Sequence, residues 1–210
     1  MPSSSASPAW VDVEAVDDAK AALRTAAVAN RSHRSARRHA DDAQAIADHL
    51  LALPELQAAR CVSIYASRPT EPDTLPTIEA LAARGVRILV PVLGSGLHRC
   101  WGEFQGTEDL VQRAPGRPPE PSGDHLPQSA IADADVVVAP ALAVDGVGTR
   151  LGQGGGWYDR VLKEARPDAL LIAVVFSDEI HLGGTPLPRV PHDVPVHAVV
   201  TPEGVTRFTR

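Results

Sequence analysis

An arginine and an aspartate bracket a run of glycines in Arg150-Leu-Gly-Gln-Gly-Gly-Gly-Trp-Tyr-Asp159. Glycine takes positive φ freely and lets a ligand approach the backbone closely. An arginine fork matches phosphate oxygens, and an aspartate beside phosphate is a usual magnesium ligand. The spacing therefore suits a phosphate cradle: Gly152, Gly154, Gly155 and Gly156 offer bare amides, Arg150 a charge and Asp159 a hard oxygen. Two familiar phosphate loops do not fit. A Gly-x-Gly-x-x-Gly pattern starting at Gly152 would need glycine at Trp157, and Gly-x4-Gly-Lys-Ser/Thr is absent. The plainer alternative is a glycine-rich surface turn capped by Asp159, but such a turn has no use for this Arg and Asp.

Other candidates lie outside the loop. Lys20 and Arg24 are four residues apart and share one face of an expected helix. They read either as a solvated cationic stripe or as an anion contact. Glu71 follows an apolar run, where ligands of open α/β sheets collect, or is simply a helix-start acid. Asp193 offers a second hard oxygen for magnesium. His192 and His197 have no third soft ligand nearby, which argues against a zinc site. Arg31, Arg34, Arg37 and Arg38, with His33 and His39, read as a solvated helix face or as a patch attracting phosphates or a glutamate tail.

Strands and helices must position these groups. Helical windows are expected at residues 16–29 and 36–53, the second burying Ile46, Leu50 and Leu53 and ending at Pro54. A strand at 61–67 leads through Arg68-Pro-Thr-Glu-Pro-Asp-Thr74 into a helix ending near Gly85. Strands follow at 86–92 and, after a glycine turn at 94–96, at 97–104, where Trp101 and Phe104 pack rather than stack. Residues 105–128, rich in Pro, Gly and charge, read mostly as loop. The run 135–141 is a buried strand, followed by the glycine loop and a helix over 157–165. The start of that helix would add unpaired N–H groups and a positive dipole end to the cradle. An apolar strand at 169–176, a proline-rigid loop at 187–193 and a strand at 197–201 close the chain. Alternating apolar strands and helices predict one three-layer α/β/α domain over 16–210, with a mainly parallel central sheet, after a disordered tail at 1–15.

Composition excludes several classes. Of 210 residues 44% are hydrophobic, and no apolar run reaches the ~20 residues of a membrane span. A net charge of −6 argues against a general nucleic-acid binder. The Ser/Pro/Ala-rich start lacks a basic region and apolar core, so it is not a signal peptide. Cys61 and Cys100 then read as reduced thiols of a cytoplasmic protein.

The segment Arg150-Leu-Gly-Gln-Gly-Gly-Gly-Trp-Tyr-Asp-Arg160 resembles the signature of the 5-formyltetrahydrofolate cyclo-ligase family, whose pattern is Arg-Leu-Gly-x-Gly-Gly-Gly-aromatic-Tyr-Asp-Arg. Gln153 and Trp157 stand where tyrosines are common in that family. Lys20-Ala-Ala-Leu-Arg24 is similar to its N-terminal Lys-x-x-Leu-Arg, Glu120-Pro121 to a Glu-Pro of unassigned role, and Pro188 to Asp193 to its Pro-x-x-x-His-Asp block. At Val196-His197 the family has a hydrophobe followed by Asp. The blocks keep the family's order over nearly the whole chain.

The resemblance implies ATP- and Mg2+-dependent cyclisation of 5-formyltetrahydrofolate to 5,10-methenyltetrahydrofolate, by phosphoryl transfer to the formyl oxygen with release of ADP and phosphate. It implies that Lys20, Arg24 and Arg150 meet ATP phosphates, with Lys20 and Arg150 catalytic. Residues 152–158 (Gly152, Gln153, Gly154, Gly155, Gly156, Trp157, Tyr158) would contact nucleotide, and Glu71, Gln153, Gly155 and Trp157 the folate. Asp159 and Asp193 would hold the metal. The expected partners are a reduced folate, with or without a glutamate tail, and ATP, but no nucleic acid or membrane, in a monomer or small homo-oligomer. Two alternatives stay open: a catalytically silent member that binds folate or nucleotide, and another phosphate-ligand enzyme on a similar sheet.

Overall fold

A computed structural model describes residues 13–93 and 99–209 of the chain. Most of the expected tail, the glycine turn at 94–96 and the start of the strand expected from 97 lie outside the described residues. Helix α1 spans Val13–Arg31, so residues 13–15 form its first turn. There follow α2 (Ala36–Leu51), α3 (Pro54–Ala58), β1 (Cys61–Ile64), α4 (Leu75–Ala83), β2 (Arg87–Leu93) and β3 (Arg99–Glu103). Short strands β4 (Leu110–Val111), β5 (Glu120–Pro121) and β6 (His125–Leu126) precede β7 (Val136–Pro140). Then come β8 (Ala143–Asp145), β9 (Arg150–Leu151), α5 (Trp157–Val161), β10 (Leu170–Val174), β11 (Ile180–His181), β12 (Ala198–Thr201) and β13 (Gly204–Arg207).

The central sheet has the order β13-β12-β10-β7-β1-β2-β3-β6. The five inner strands, β12 to β2 in that order, run parallel. The antiparallel pairings lie at the edges, through β13, β3 and β6. This is the expected α/β fold with a mainly parallel sheet. Successive side chains of a strand face opposite ways. Val136, Val138, Ile172 and Val174 accordingly pack with Ile46, Leu50, Leu56, Ile78 and Leu81 from α2, α3 and α4. Val137, Ala139, Leu171 and Ala173 face Ile131, Val161 and Leu162. Strands buried on both faces must be apolar at every position, which is why their sequences run without alternation.

Several boundaries differ from expectation. The second face is covered thinly, by five-residue α5 and a 3-10 turn at Gln128–Asp133. Helix α2, capped by Ser35 Oγ accepting from the Arg38 N–H, stops at Leu51; Leu53, still buried, heads α3. Strand β1 stops at Ile64 because Tyr65 leaves the sheet. The Tyr65 hydroxyl donates to the Pro72 carbonyl at 2.9 Å, and its own carbonyl accepts from Thr74 at 2.5 Å. These two bonds fold residues 65–74 over the carboxyl end of β1. No helix of the described residues is long and apolar enough to cross a membrane.

Candidate active site

The glycine loop does not follow β7 directly, as the sequence suggested; the antiparallel β8–β9 hairpin intervenes. Its turn is organised by buried Asp145, whose carboxylate accepts from the N–H groups of Val147, Thr149 and Leu187 at 3.1, 2.8 and 3.0 Å. Gly148 sits at φ +81°, and a Cβ there would lie 2.5 Å from the Val196 carbonyl oxygen. The Asp145-Gly146 pair was a hairpin signal that the sequence carried.

Arg150 emerges from this hairpin fully enclosed. Its Nη2 donates to Asp159 Oδ1 at 2.7 Å and its Nη1 to the Pro140 carbonyl at 3.3 Å, while Nε is buried without a partner among the described residues. Gly152 gives the guanidinium room, since a Cβ there would stand 2.8 Å from Nη1. Gly154 and Gly156 adopt φ of +103° and +59°, in the region only glycine enters readily. Gly155 has no such φ, and a Cβ on it would meet no atom within 4 Å.

Helix α5 ends at Val161 rather than at 165, so its dipole is slight. An anion held here would rest on loop amides and cations, not on a helix end. Trp157 stacks edge-on against Trp101 and Tyr158, each with ring centroids 4.9 Å apart. Trp101 is fully buried and donates its indole N–H to the Gln128 carbonyl, so it packs as expected and anchors the loop. Burial pushes the Tyr158 phenol well above its ordinary pKa, despite nearby Arg150.

Three distant segments close on this loop. From α1, Lys20 Nζ meets Asp193 Oδ2 at 2.5 Å, and Arg24 Nε donates to the Gly152 carbonyl at 2.9 Å. Asp193 also accepts from the Val190 N–H at 2.8 Å, while Asp159 accepts from the N–H of neighbouring Val194 at 3.4 Å. The two aspartate-bearing segments thus converge. From the β1–α4 loop, buried Glu71 accepts from Gln153 Nε2 at 2.8 Å and from the Arg68 N–H at 2.9 Å. One cleft of about 710 Å³ is lined by Lys20, Arg24, Glu71, Arg150, residues 152–159 and Asp193, so every residue expected to meet nucleotide, folate or metal reaches it.

The cleft also contains groups the sequence did not single out. Tyr65 is at the carboxyl end of β1, where the sheet rule could have found it. Pro118 and Pro119 come from the strap between β4 and β5, which Glu120 pins by accepting from the Leu93 N–H at 2.9 Å and pairing with Arg113 at 2.6 Å. Arg68, Arg160 and Lys163 add charge, so that six Lys and Arg side chains line the cleft against four carboxylates. In a chain of net charge −6, that local excess favours an anionic ligand.

The basic cluster divides. Arg31 is buried in a two-pronged pair with Glu179, and Arg34 pairs with Asp42 and Asp178 over the Phe176 ring. Arg37 and Arg38 are the solvated remainder. His39 meets the Glu71 carbonyl at 2.8 Å. His197 Nδ1 accepts from the Leu171 N–H at the foot of β12, and it does not line the cleft.

No group of three or more His, Cys, Asp or Glu suited to a metal occurs among the described residues. A pair of carboxylates does suit magnesium, which binds one or two of them and completes its shell with water and substrate phosphate. The unpartnered Arg150 Nε and the open space at Gly155 likewise suit a phosphate.

Residues 16–202 match the model of the 5-formyltetrahydrofolate cyclo-ligase family. A 5-formyltetrahydrofolate cyclo-ligase of Mycolicibacterium smegmatis is 36% identical over 190 residues, covering 88% of this chain and 94% of that protein. One from Escherichia coli K12 is 32% identical over 171 residues, covering 77% and 88%. The solved Aquifex aeolicus 5,10-methenyltetrahydrofolate synthetase superposes with a TM-score of 0.75 at 26% identity, covering 91% of this chain and 93% of that one. The Mycoplasma pneumoniae 5,10-methenyltetrahydrofolate synthetase, with a TM-score of 0.68, 19% identity and coverage of 87% and 98%, supports the fold alone. With its matched length, its relatives and its fold in agreement, the chain belongs to the 5-formyltetrahydrofolate cyclo-ligase family.

Proposed function

We propose that the protein converts 5-formyltetrahydrofolate to 5,10-methenyltetrahydrofolate, consuming ATP with magnesium and releasing ADP and phosphate. The observation that carries this reading is the junction of Glu71 with the glycine loop through Gln153, in the same cleft as Arg150, Lys20 and Arg24. A substrate acid and a phosphate cradle are thereby joined side chain to side chain.

A formamide oxygen is a poor leaving group. Moving the γ-phosphoryl of ATP onto it breaks one P–O bond and makes another. The folate's own ten-position nitrogen then forms the new C–N bond, losing its proton, and the carbon–oxygen bond breaks to release phosphate. Such transfers need positioning and charge neutralisation more than a covalent protein group. Arg150, held by Asp159 and the Pro140 carbonyl, is pre-oriented to receive phosphoryl oxygen. Lys20 and Arg24 bring charge from α1, and the amides of 152–156 line the approach. Asp159 and Asp193 would hold magnesium, which supplies charge neutralisation at the phosphates. Glu71 keeps lone pairs beyond the bonds it accepts and would take N–H groups of the folate head. No side chain is assigned as general base. The reading places a small-molecule reaction in the cytoplasm, carried out by a monomer or small homo-oligomer without nucleic acid or membrane.

The test is the absorbance of the methenyl product after mixing protein, magnesium, ATP and 5-formyltetrahydrofolate. Product formation that stops when any one is omitted supports the proposal. Binding of ATP and folate without product would mark a silent family member. Thermal stabilisation by sugar phosphates alone would point to another phosphate-ligand enzyme.

A further inference from the structure

A second cavity, of about 490 Å³, adjoins the cleft and shares Ala66, Arg68 and Pro119 with it. The two form one trough, and Arg68 is the charged group at the join. Its guanidinium makes no hydrogen bond or ion pair with the described residues, and its Nε is buried. Buried donors in folded proteins are nearly always partnered, so an orphan of this kind asks for a ligand.

The nearby carboxylates are engaged elsewhere. Glu71 accepts from Gln153 and from the Arg68 backbone N–H, not from the Arg68 side chain. Asp73 accepts from Ser67 Oγ at 2.7 Å and from the Leu75 N–H at 3.0 Å, at the start of α4. No carboxylate of the described residues pairs with the Arg68 guanidinium, which leaves it open to an anionic group of a ligand. Pro69, Leu75, Leu110 and Pro119 supply its apolar wall, and His39, Ser67, Asp73 and Gln112 its polar one. A flat apolar segment ending in a carboxylate has the chemistry to fill this space.

We infer that the second cavity takes the arylamide tail of the folate substrate, and that Arg68 pairs with a tail carboxylate. This rests on the proposed reaction, with the folate head at Glu71. Because Arg68 and Glu71 lie on one turn and share a hydrogen bond, a substrate read by Glu71 would pass Arg68 on leaving the cleft.

The experiment compares the full-length wild type, Arg68→Gln and Arg68→Lys on 5-formyltetrahydrofolate and on the analogue lacking its glutamate. Arg68→Gln should raise KM for the full substrate about tenfold, the weight of one charge-assisted pair, leaving kcat and KM for ATP unchanged. Loss of the glutamate should cost wild type a similar factor and cost Arg68→Gln nothing further. Arg68→Lys should recover part of the loss. A rise in KM for ATP instead would assign Arg68 to nucleotide phosphate and overturn the inference, as would an equal glutamate penalty in both enzymes. If the wild type made no methenyl product, the proposed reaction would fall. Calorimetry with p-aminobenzoylglutamate, the free tail, would still decide the cavity: about tenfold weaker binding to Arg68→Gln supports it, and equal binding overturns it.

Discussion

Two alanine substitutions at neighbouring positions of the glycine loop separate a phosphate cradle from a tight turn. At Gly154, φ is +103° and a Cβ would stand 3.5 Å from Arg24 Nε, an ordinary contact. The penalty for Gly154→Ala is therefore backbone strain of about 1–2 kcal/mol. For a chain of this size that lowers the melting temperature by about 2–8 °C. Gly155 lies outside the positive-φ region and a Cβ on it would meet no protein atom within 4 Å, although the residue lines the cleft. Gly155→Ala should leave the melt unchanged or raise stability by about 0.4–1 kcal/mol, through reduced freedom of the unfolded chain. If a phosphate oxygen docks on the loop amides, the same methyl displaces it. Losing one charge-assisted bond of about 1.5–3 kcal/mol weakens ATP roughly ten- to a hundred-fold. Calorimetric titration of ATP and a thermal melt on both variants read the two quantities separately. Normal ATP affinity in Gly155→Ala would refute the cradle and leave the loop as a turn.

Other predictions follow from the surrounding contacts. Lys20→Ala should raise KM for ATP far more than for folate, and equal changes in both would reassign α1 as scaffold. It also strips the half-buried Asp193 of its countercharge, so the melting temperature should fall, and magnesium alone should restore part of the loss. Asp159→Asn should weaken metal-nucleotide binding while the fold persists, and full wild-type activity in excess chelator would remove the metal from the scheme. Burial pushes the Cys61 thiol up to about 11. At pH 8 its thiolate fraction is then roughly two-hundred-fold below that of an ordinary cysteine, so alkylation followed by mass spectrometry should label Cys100 first. Raising the pH toward 11 should increase Cys61 labelling before the protein unfolds. Prompt Cys61 modification at pH 8 would contradict this.

Much of the architecture was legible because it is written in local periodicity. Val136 to Ala139 and Leu170 to Val174 are apolar at every position since both faces of those strands are covered. Ala43, Ile46, Ala47 and Leu50 recur at helical spacing because one face of α2 meets the sheet. The make-up of the loop was legible too, for residue type and order alone specify an arginine, glycines and an acid. The short elements were not. The β8–β9 hairpin and edge strand β13 carry too little periodic sequence to announce themselves, and α5, expected over 157–165, stops after five residues.

Partners lay beyond the sequence altogether. Lys20 finds Asp193 across 173 positions, Arg24 finds Gly152 across 128 and Glu71 finds Gln153 across 82. Arg68 is informative only because every nearby acid is bound to something else. Local backbone geometry and burial set which stretches become strands and helices, and short-range sequence records both. Which charge is neutralised, and which is left for a ligand, depends on distances between segments that only the folded chain brings together.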